Sequence, residues 1–279
     1  MTKCFFVSDL HGDVDRYEKL FDLAMLERPK AIFLGGDILL SGISSTDSAH
    51  RDFVAKFLIE EFKILRKKLA DEYPQIFMIL GNDDGRFEEA AIQKASNRGL
   101  WNYIHDRRTN LGEYPIYGYS YVPPTPFHLK DWERYDVSRS VNPGCVPLEE
   151  GHRSIQLPDD DIMSATIKED LEQIAGEDNL EKAVFLFHAP PHRTKLDYVA
   201  SGGEMGEEHV GSIAIRNFIE ARQPMMTLHG HVHESARLSG AWRDSIGRTI
   251  CLSGAHDGPE LALVRFHIEQ PDQATRELV

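Results

Sequence analysis

The stretch "FFVSDLHGDV", residues 5–14, decides the fold. Phe5, Phe6 and Val7 form an apolar run too short for a helix, and it reads as a buried strand. The chain then turns through "SDLHGD", which puts Asp9 and His11 just beyond the strand end. Val14, Tyr17, Leu20, Phe21 and Ala24 follow at helical spacing, with a stop near Pro29. The unit of strand, polar turn and helix then repeats. Ala31 to Leu34 is the next strand, before a long helix over roughly 47–70 with Phe53, Phe57, Phe62, Leu65 and Leu69 on its buried face. Ile76 to Leu80 is a third strand, and a shorter helix lies around 86–96. Such alternation predicts a layered α/β fold.

Further along, the pattern predicts helices near 161–175 and at 212–222, and strands at 183–187, 225–228, 249–252 and 261–268. The proline-rich, acidic stretch 122–160 shows no period. It is too long for a simple connection, so it is either an insertion with a role near the site or a loose excursion. The 279 residues are otherwise read as one domain.

Each strand ends in groups of metal-ligand type. The first gives Asp9 and His11, the second Asp37, and the third Asn82, Asp83 and Asp84. The fourth, "FHAPPH", gives His188 and His192; the fifth, "HGHVHE", gives His229, His231 and His233. Any one cluster is adequately explained as turn chemistry after a strand. Five in succession call for another account. Ligands of α/β sheets gather beyond the carboxyl ends of the strands, so these clusters should meet in one cleft. Carboxylates, imidazoles and one amide oxygen, without thiolate, suit Mn²⁺, Fe²⁺ or Zn²⁺. The set exceeds what one ion needs. Two ions about 3.5–4 Å apart would use it, and that arrangement serves phosphoryl chemistry.

These motifs, Asp9-x-His11, Gly36-Asp37, Gly81-Asn82, His188 and Gly230-His231-x-His233, in this order, resemble the calcineurin-like metallophosphoesterases. The stretches "HAPPHRTKLD" and "HVGSIAIRNFIEARQP" are similar to a bacterial and archaeal subgroup of small phosphoesterases. The resemblance implies a four-layer α-β-β-α sandwich with a dimetal centre at the sheet edge. It implies that Asp9, His11, Asp37 and His233 hold one metal. Asp37, Asn82, His188 and His231 would hold the other, with Asp37 bridging. His229 matches no ligand position and is assigned a supporting or structural role.

One departure stands out. Many members carry a histidine after Gly-Asn, and here Asp83 stands in its place. Two divalent ions, two aspartates and a bridging hydroxide sum to about +1, which suits a diester monoanion. A carboxylate at 83 would repel a monoester dianion more than a diester. Aspartate is normally ionised at neutral pH and a poor proton donor. The expected reaction is therefore phosphodiester hydrolysis by attack of a metal-bridging hydroxide, with Asp83 as the candidate catalytic departure. The bland alternative is that Asp83 points away and shapes the turn. A broad phosphomonoesterase and a catalytically silent scaffold are the other readings. The complete ligand set argues against the scaffold.

Other signals are weaker. Asp13 and Asp84 read as helix caps or as partners orienting the ligands, and Ser212 as a cap. The glycine-rich 201–212 reads as a loop bordering the cleft, since Glu204, Glu207 and Glu208 argue against a phosphate cradle. Within 122–160, Trp132, Arg134, Tyr135 and Arg139 could form a lid, Trp132 stacking a base and Arg134 pairing a phosphate. A solvated excursion with one aromatic anchor explains them equally well. Asn82 would also touch substrate.

Composition bounds the rest. With 31 basic and 45 acidic residues the net charge is −14, which disfavours a long nucleic-acid partner and leaves room for a small phosphoester, a nucleotide or cyclic nucleotide among them. No apolar run approaches a membrane span. Cys4, Cys145 and Cys251 are far apart and odd in number, indicating neither a disulfide framework nor a thiolate site. A cytoplasmic location is the default expectation, and the oligomeric state is open.

Overall fold

The computed structural model describes residues 1–42, 53–156, 165–200 and 207–279. Two six-stranded sheets form its centre. The strands in chain order are β1 (Lys3–Val7), β2 (Ala31–Gly35), β3 (Gln75–Ile79), β4 (Asn102–Tyr103), β5 (Arg107–Leu111), β6 (Tyr114–Tyr119) and β7 (Val184–Phe187). They continue with β8 (Tyr198–Ala200), β9 (Glu207–His209), β10 (Met226–His229), β11 (Arg243–Ile246), β12 (Thr249–Ser253), β13 (Ala262–His267) and β14 (Gln270–Leu278). One sheet runs β14-β13-β1-β2-β3-β4 and the other β11-β12-β10-β7-β6-β5, while β8 and β9 form a separate hairpin. The helices are α1 (Val14–Glu27), α2 (Ile59–Leu69), α3 (Glu89–Ser96), α4 (Ile167–Ala175), α5 (Ile213–Arg222) and the short α6 (Ser235–Ser239).

Strand alternation builds the layers. In β1, Cys4 and Phe6 point into a core shared with Val184, Leu186, Met226 and Leu228 of the opposite sheet. Phe5 and Val7 point the other way, into the core that holds Tyr17 and Leu20 of α1 and Phe62 of α2. The same two-sided burial recurs in the second sheet, whose Phe185 meets Phe218 of α5 at 5.1 Å between ring centroids. The result is the four-layer α-β-β-α sandwich that the resemblance implies.

Within each sheet four neighbouring strands are parallel: β1, β2, β3 and β4 in one, β6, β7, β10 and β12 in the other. Their carboxyl ends therefore lie along common edges, which is what gathers the polar turns. Helix ends follow local chemistry. Asp13 caps α1 by accepting from the Arg16 amide at 3.2 Å, and Ser212 caps α5 by accepting from Ile215. Thr166 and Glu169 close a reciprocal capping box at α4.

Some expected bounds shift. The long helix opens as a π-helical turn at Phe53–Leu58 before α2, and residues 47–52 of that expectation lie outside the described residues. Of the helix read over 161–175, the structure shows Ile167–Ala175, and 161–164 lie outside the described residues. The described part of 122–160 carries only isolated bridges, Val122 to Glu133, Leu129 to His152 and Tyr135 to Thr166. It is nonetheless tightly anchored. Lys130 and Glu133, both fully buried, pair at 2.6 Å, and Asp131 accepts from the Arg86 and Ser154 amides.

Candidate metal centre

The turns after β1, β2 and β3 bring Asp9, His11, Asp37 and Asn82 to one sheet edge, and those after β7 and β10 bring His188, His231 and His233 to the other. Ligand atoms of Asp9, His11, Asp37 and His233 lie within 4.8 Å of one another, and so do those of Asp37, His188 and His231. Asp37 belongs to both groups. Asn82, whose Oδ1 is 3.1 Å from His188 Nε2, joins the second. All seven residues named from the sequence therefore meet.

The backbone is bent to achieve this. Asp9, His11, Asp37 and His231 all have positive φ, between 48° and 74°. Such conformations cost about 1–3 kcal/mol each in non-glycine residues and persist only where the surroundings enforce them. Glycine makes the approach feasible at two points. A Cβ at Gly81 would stand 2.4 Å from Asp37 Oδ1, and one at Gly230 2.7 Å from Asp9 Oδ2.

Supporting bonds aim the donors. His188 Nδ1 is 2.8 Å from the Gly35 carbonyl, so it carries the proton there and leaves Nε2 facing Asp37 at 3.2 Å. His11 Nδ1 lies 3.2 Å from Asp83 Oδ2, which turns His11 Nε2 towards His233 Nε2 at 3.1 Å. The Asp83 amide donates to Asp37 Oδ1 at 2.7 Å and the His231 amide to Asp9 Oδ1 at 3.0 Å. Buried Asp84 accepts from the amides of Ile38, Leu39 and Gly81, tying the β2 turn to the β3 turn. Arg16, which the sequence did not single out, donates to the Asp9 carbonyl at 2.7 Å and to the Gly258 carbonyl at 2.5 Å.

The donor set fits a cation by its own electrostatics. Asp9 Oδ2 is a buried carboxylate oxygen with no hydrogen-bond partner. Burial alone would raise the Asp9 and Asp37 carboxyls, but the imidazoles around them reverse that: Asp9 lies well below the usual range and Asp37 at about 2. Burial would lower His11 and His188; contact with Asp83 and Asp37 respectively, and the charge of the other aspartates, raise both to about 9. His231, pulled down chiefly by burial and then by His188, falls to about 3. A cluster of ionised carboxylates that compels His11 and His188 to take up protons is one a divalent cation can satisfy. A borderline or hard ion matches the oxygen and nitrogen donors.

His229 stands apart. Its ring stacks on Phe187 and both nitrogens are engaged, Nδ1 with the Ala189 carbonyl at 2.9 Å and Nε2 with Thr227 Oγ1 at 2.7 Å. Burial lowers it to about 4, so it is a neutral structural histidine.

A cleft of about 990 Å³ opens over the centre, lined by His11, Asp37, Asn82, Asp83, His231 and His233. Its far walls come largely from 122–145, through Pro123, Pro126, Phe127, Val137 and Cys145. That segment does border the site, but not with the residues expected. Trp132 is fully buried, its face 4.6 Å beneath the Arg86 guanidinium, and cannot stack a base. Arg134 pairs with Asp170 at 2.8 Å, lies over Tyr121, and lines a separate polar cavity of about 340 Å³. Tyr135 is buried and donates to Glu149. A large ring gains more from the core than from a solvated lid, so the apolar payload of this segment went inward.

Asp83 does not point away: Oδ2 holds His11, and Oδ1 accepts from Ser41 Oγ at 2.7 Å. A cluster that the sequence left without a role also lines the cleft, His192 and His209 around buried Asp197. Its signal was one carboxylate flanked by two histidines within the stretches quoted above. Of 201–212, residues 201–206 lie outside the described residues, and with them Glu204.

Residues 2–235 match the calcineurin-like phosphoesterase family. No curated protein sequence matches the chain. Among solved structures, one superposes with a TM-score of 0.63 at 14% identity over 99% of this chain and 98% of its own. TT1561 of Thermus thermophilus superposes with a TM-score of 0.55 at 16% identity, over 99% and 98%. A dimetal phosphatase from Danio rerio gives 0.54 at 12% identity, over 94% and 91%. At these identities the likeness is one of fold. Among the described residues, no helix is long and apolar enough to cross a membrane. The family match covers most of the length, and the chain belongs to the calcineurin-like phosphoesterases, metal-dependent hydrolases of phosphoric ester bonds.

Proposed function

We propose that the protein hydrolyses a small phosphodiester with a bulky, largely apolar substituent. One observation carries the reading: the Asp83 carboxylate lies inside the site, 3.2 Å from His11, where many relatives have a histidine. Asp83 thus adds a third carboxylate to the site beside Asp9 and Asp37, and it lines the cleft. An extra like-charge pair at about 5 Å costs on the order of 3 kcal/mol at an effective dielectric near 20. A monoester dianion meets that cost in addition to whatever the monoanion of a diester meets.

Asp9, His11, Asp37 and His233 would hold one divalent ion and Asp37, Asn82, His188 and His231 the other, with Mn²⁺, Fe²⁺ and Zn²⁺ as candidates. When bound, such ions supply positive charge at the phosphoryl oxygens and acidify water. The chain does the rest. Asp83 and the Gly35 carbonyl fix the tautomers of His11 and His188. Asn82 presents an amide at the cleft floor, and Pro123, Phe127 and Val137 give the far wall apolar surface. A cleft of this volume accommodates a nucleotide-sized ligand. The acidic surface speaks for small substrates over long nucleic acid.

The test compares kcat/KM for bis-p-nitrophenyl phosphate and p-nitrophenyl phosphate with Mn²⁺ present. The diester should be preferred, and Asp83→His should move the ratio towards the monoester. Equal or greater monoesterase activity in the unaltered protein would refute the reading.

A further inference from the structure

Ester hydrolysis needs a proton for the leaving oxygen unless the leaving group is already stable as an anion. With Asp83 committed to His11 and Ser41, the metal-ligand side of the cleft offers no free proton donor among the described residues. Elsewhere the cleft lining does. Asp197 is fully buried, and its oxygens accept from the amides of Arg193 at 3.0 Å, Thr194 at 2.9 Å and Gly211 at 3.1 Å. These bonds fix the carboxylate rigidly beneath the cleft.

Onto that carboxylate docks His209, its Nδ1 2.8 Å from Asp197 Oδ1. The ring also packs against Tyr198 at 4.3 Å, its partner across the β8–β9 hairpin. The bond places the Nδ1 proton on the carboxylate side, so Nε2 is the nitrogen left for the cleft, which the partly exposed His209 lines together with His11 and Asn82. His192 is the weaker candidate. It lies 3.7 Å from Asp197, beyond hydrogen-bonding range, and burial holds its imidazole below the ordinary value, in the form with no second proton to give.

We propose that His209, oriented by Asp197, is the catalytic residue that protonates the leaving group. The assignment rests on the phosphoesterase reading above. A water oxygen bonds to phosphorus as the bond from phosphorus to the leaving oxygen breaks, and that bond's electron pair stays on the leaving oxygen. The leaving oxygen takes the Nε2 proton of the His209 imidazolium and departs as an alcohol. The neutral imidazole regains a proton from solvent, which also receives the proton lost by the attacking water. Asp197 keeps the tautomer and direction throughout, and is a positioning residue.

General acids contribute about 10²–10⁴-fold, and most where the leaving group is a poor one. The experiment measures kcat/KM of the metal-loaded protein and of His209→Gln on diesters with a p-nitrophenol and with an alkyl alcohol leaving group. The variant should lose at least 100-fold more on the alkyl ester than on the aryl ester. Equal losses on both, or none, would overturn the assignment and leave the diesterase reading standing. Should the variant fold poorly, the unaltered protein carries the same information. Its rate should depend only weakly on leaving-group pKa, and a steep dependence overturns the assignment. If no diester is hydrolysed, the diesterase reading fails on its own, and the same aryl and alkyl comparison on monoesters then decides the role of His209.

Discussion

Asp83→Ala removes the carboxylate that holds His11 Nδ1 and leaves Ser41 Oγ without its acceptor. Losing a partner that orients a ligating histidine typically costs 10–100-fold in metal affinity or activity. Metal titration of the variant should show a loss of that size, and an unchanged affinity would mean that His11 needs no help. Protonation makes a second prediction at this scale. His11 and His188, both raised to about 9, carry a proton at neutral pH in the metal-free protein. A ligating nitrogen must give that proton up, so metal uptake should release protons below pH 9. Affinity should rise with pH up to about 9 and level off above it. Calorimetry in buffers of different ionisation enthalpy counts the protons; a pH-independent affinity from 6 to 9 would contradict the raised values.

The turns between strand and helix are the elements on which the site depends. Gly81→Ala would drive a Cβ to 2.4 Å from Asp37 Oδ1 and 2.6 Å from His188 Cε1. Overpacking of this kind costs typically about 1–3 kcal/mol, and here the displaced atoms belong to both halves of the donor set. Thermal unfolding should fall accordingly and metal binding should weaken with it; normal metal affinity would show that the turn can relax. Legibility in the sequence also divides by element. β1, β2, β3, β7 and β10 are buried on both faces and therefore read as largely apolar runs, each followed by its ligands. Edge strands were missed because they face water: β5 reads Arg-Arg-Thr-Asn-Leu and β14 Gln-Pro-Asp-Gln-Ala-Thr-Arg-Glu-Leu, neither with an apolar period. Trp132 misled for the opposite reason. Its polar neighbours suggested a surface, but Lys130 and Glu133 are themselves buried as a pair. The pair is only three residues apart in sequence, and nothing in that spacing says whether it faces solvent or the core.

At the scale of the molecule, the candidate centre lies where two sheets meet. Asp9, His11, Asp37 and Asn82 come from one, and His188, His231 and His233 from the other. Between the sheets, Phe33 stacks on Phe77 at 5.0 Å and touches Phe266 at 5.9 Å. Phe33→Ala should destabilise the fold by about 3–5 kcal/mol in denaturant unfolding. A loss below 1 kcal/mol would mean that the sheets can close over the gap. Metal joining the two sheets should stabilise the fold by mass action, about 2.7 kcal/mol when free metal stands a hundredfold above Kd. Stripping metal with a chelator should therefore lower the melting temperature, and re-addition of Mn²⁺ should restore it. The most direct measurement of all is anomalous diffraction from crystals grown with Mn²⁺. Two peaks about 3.5–4 Å apart, one on either side of Asp37, are the predicted result; a single peak, or none within reach of Asp37, would contradict the dimetal account.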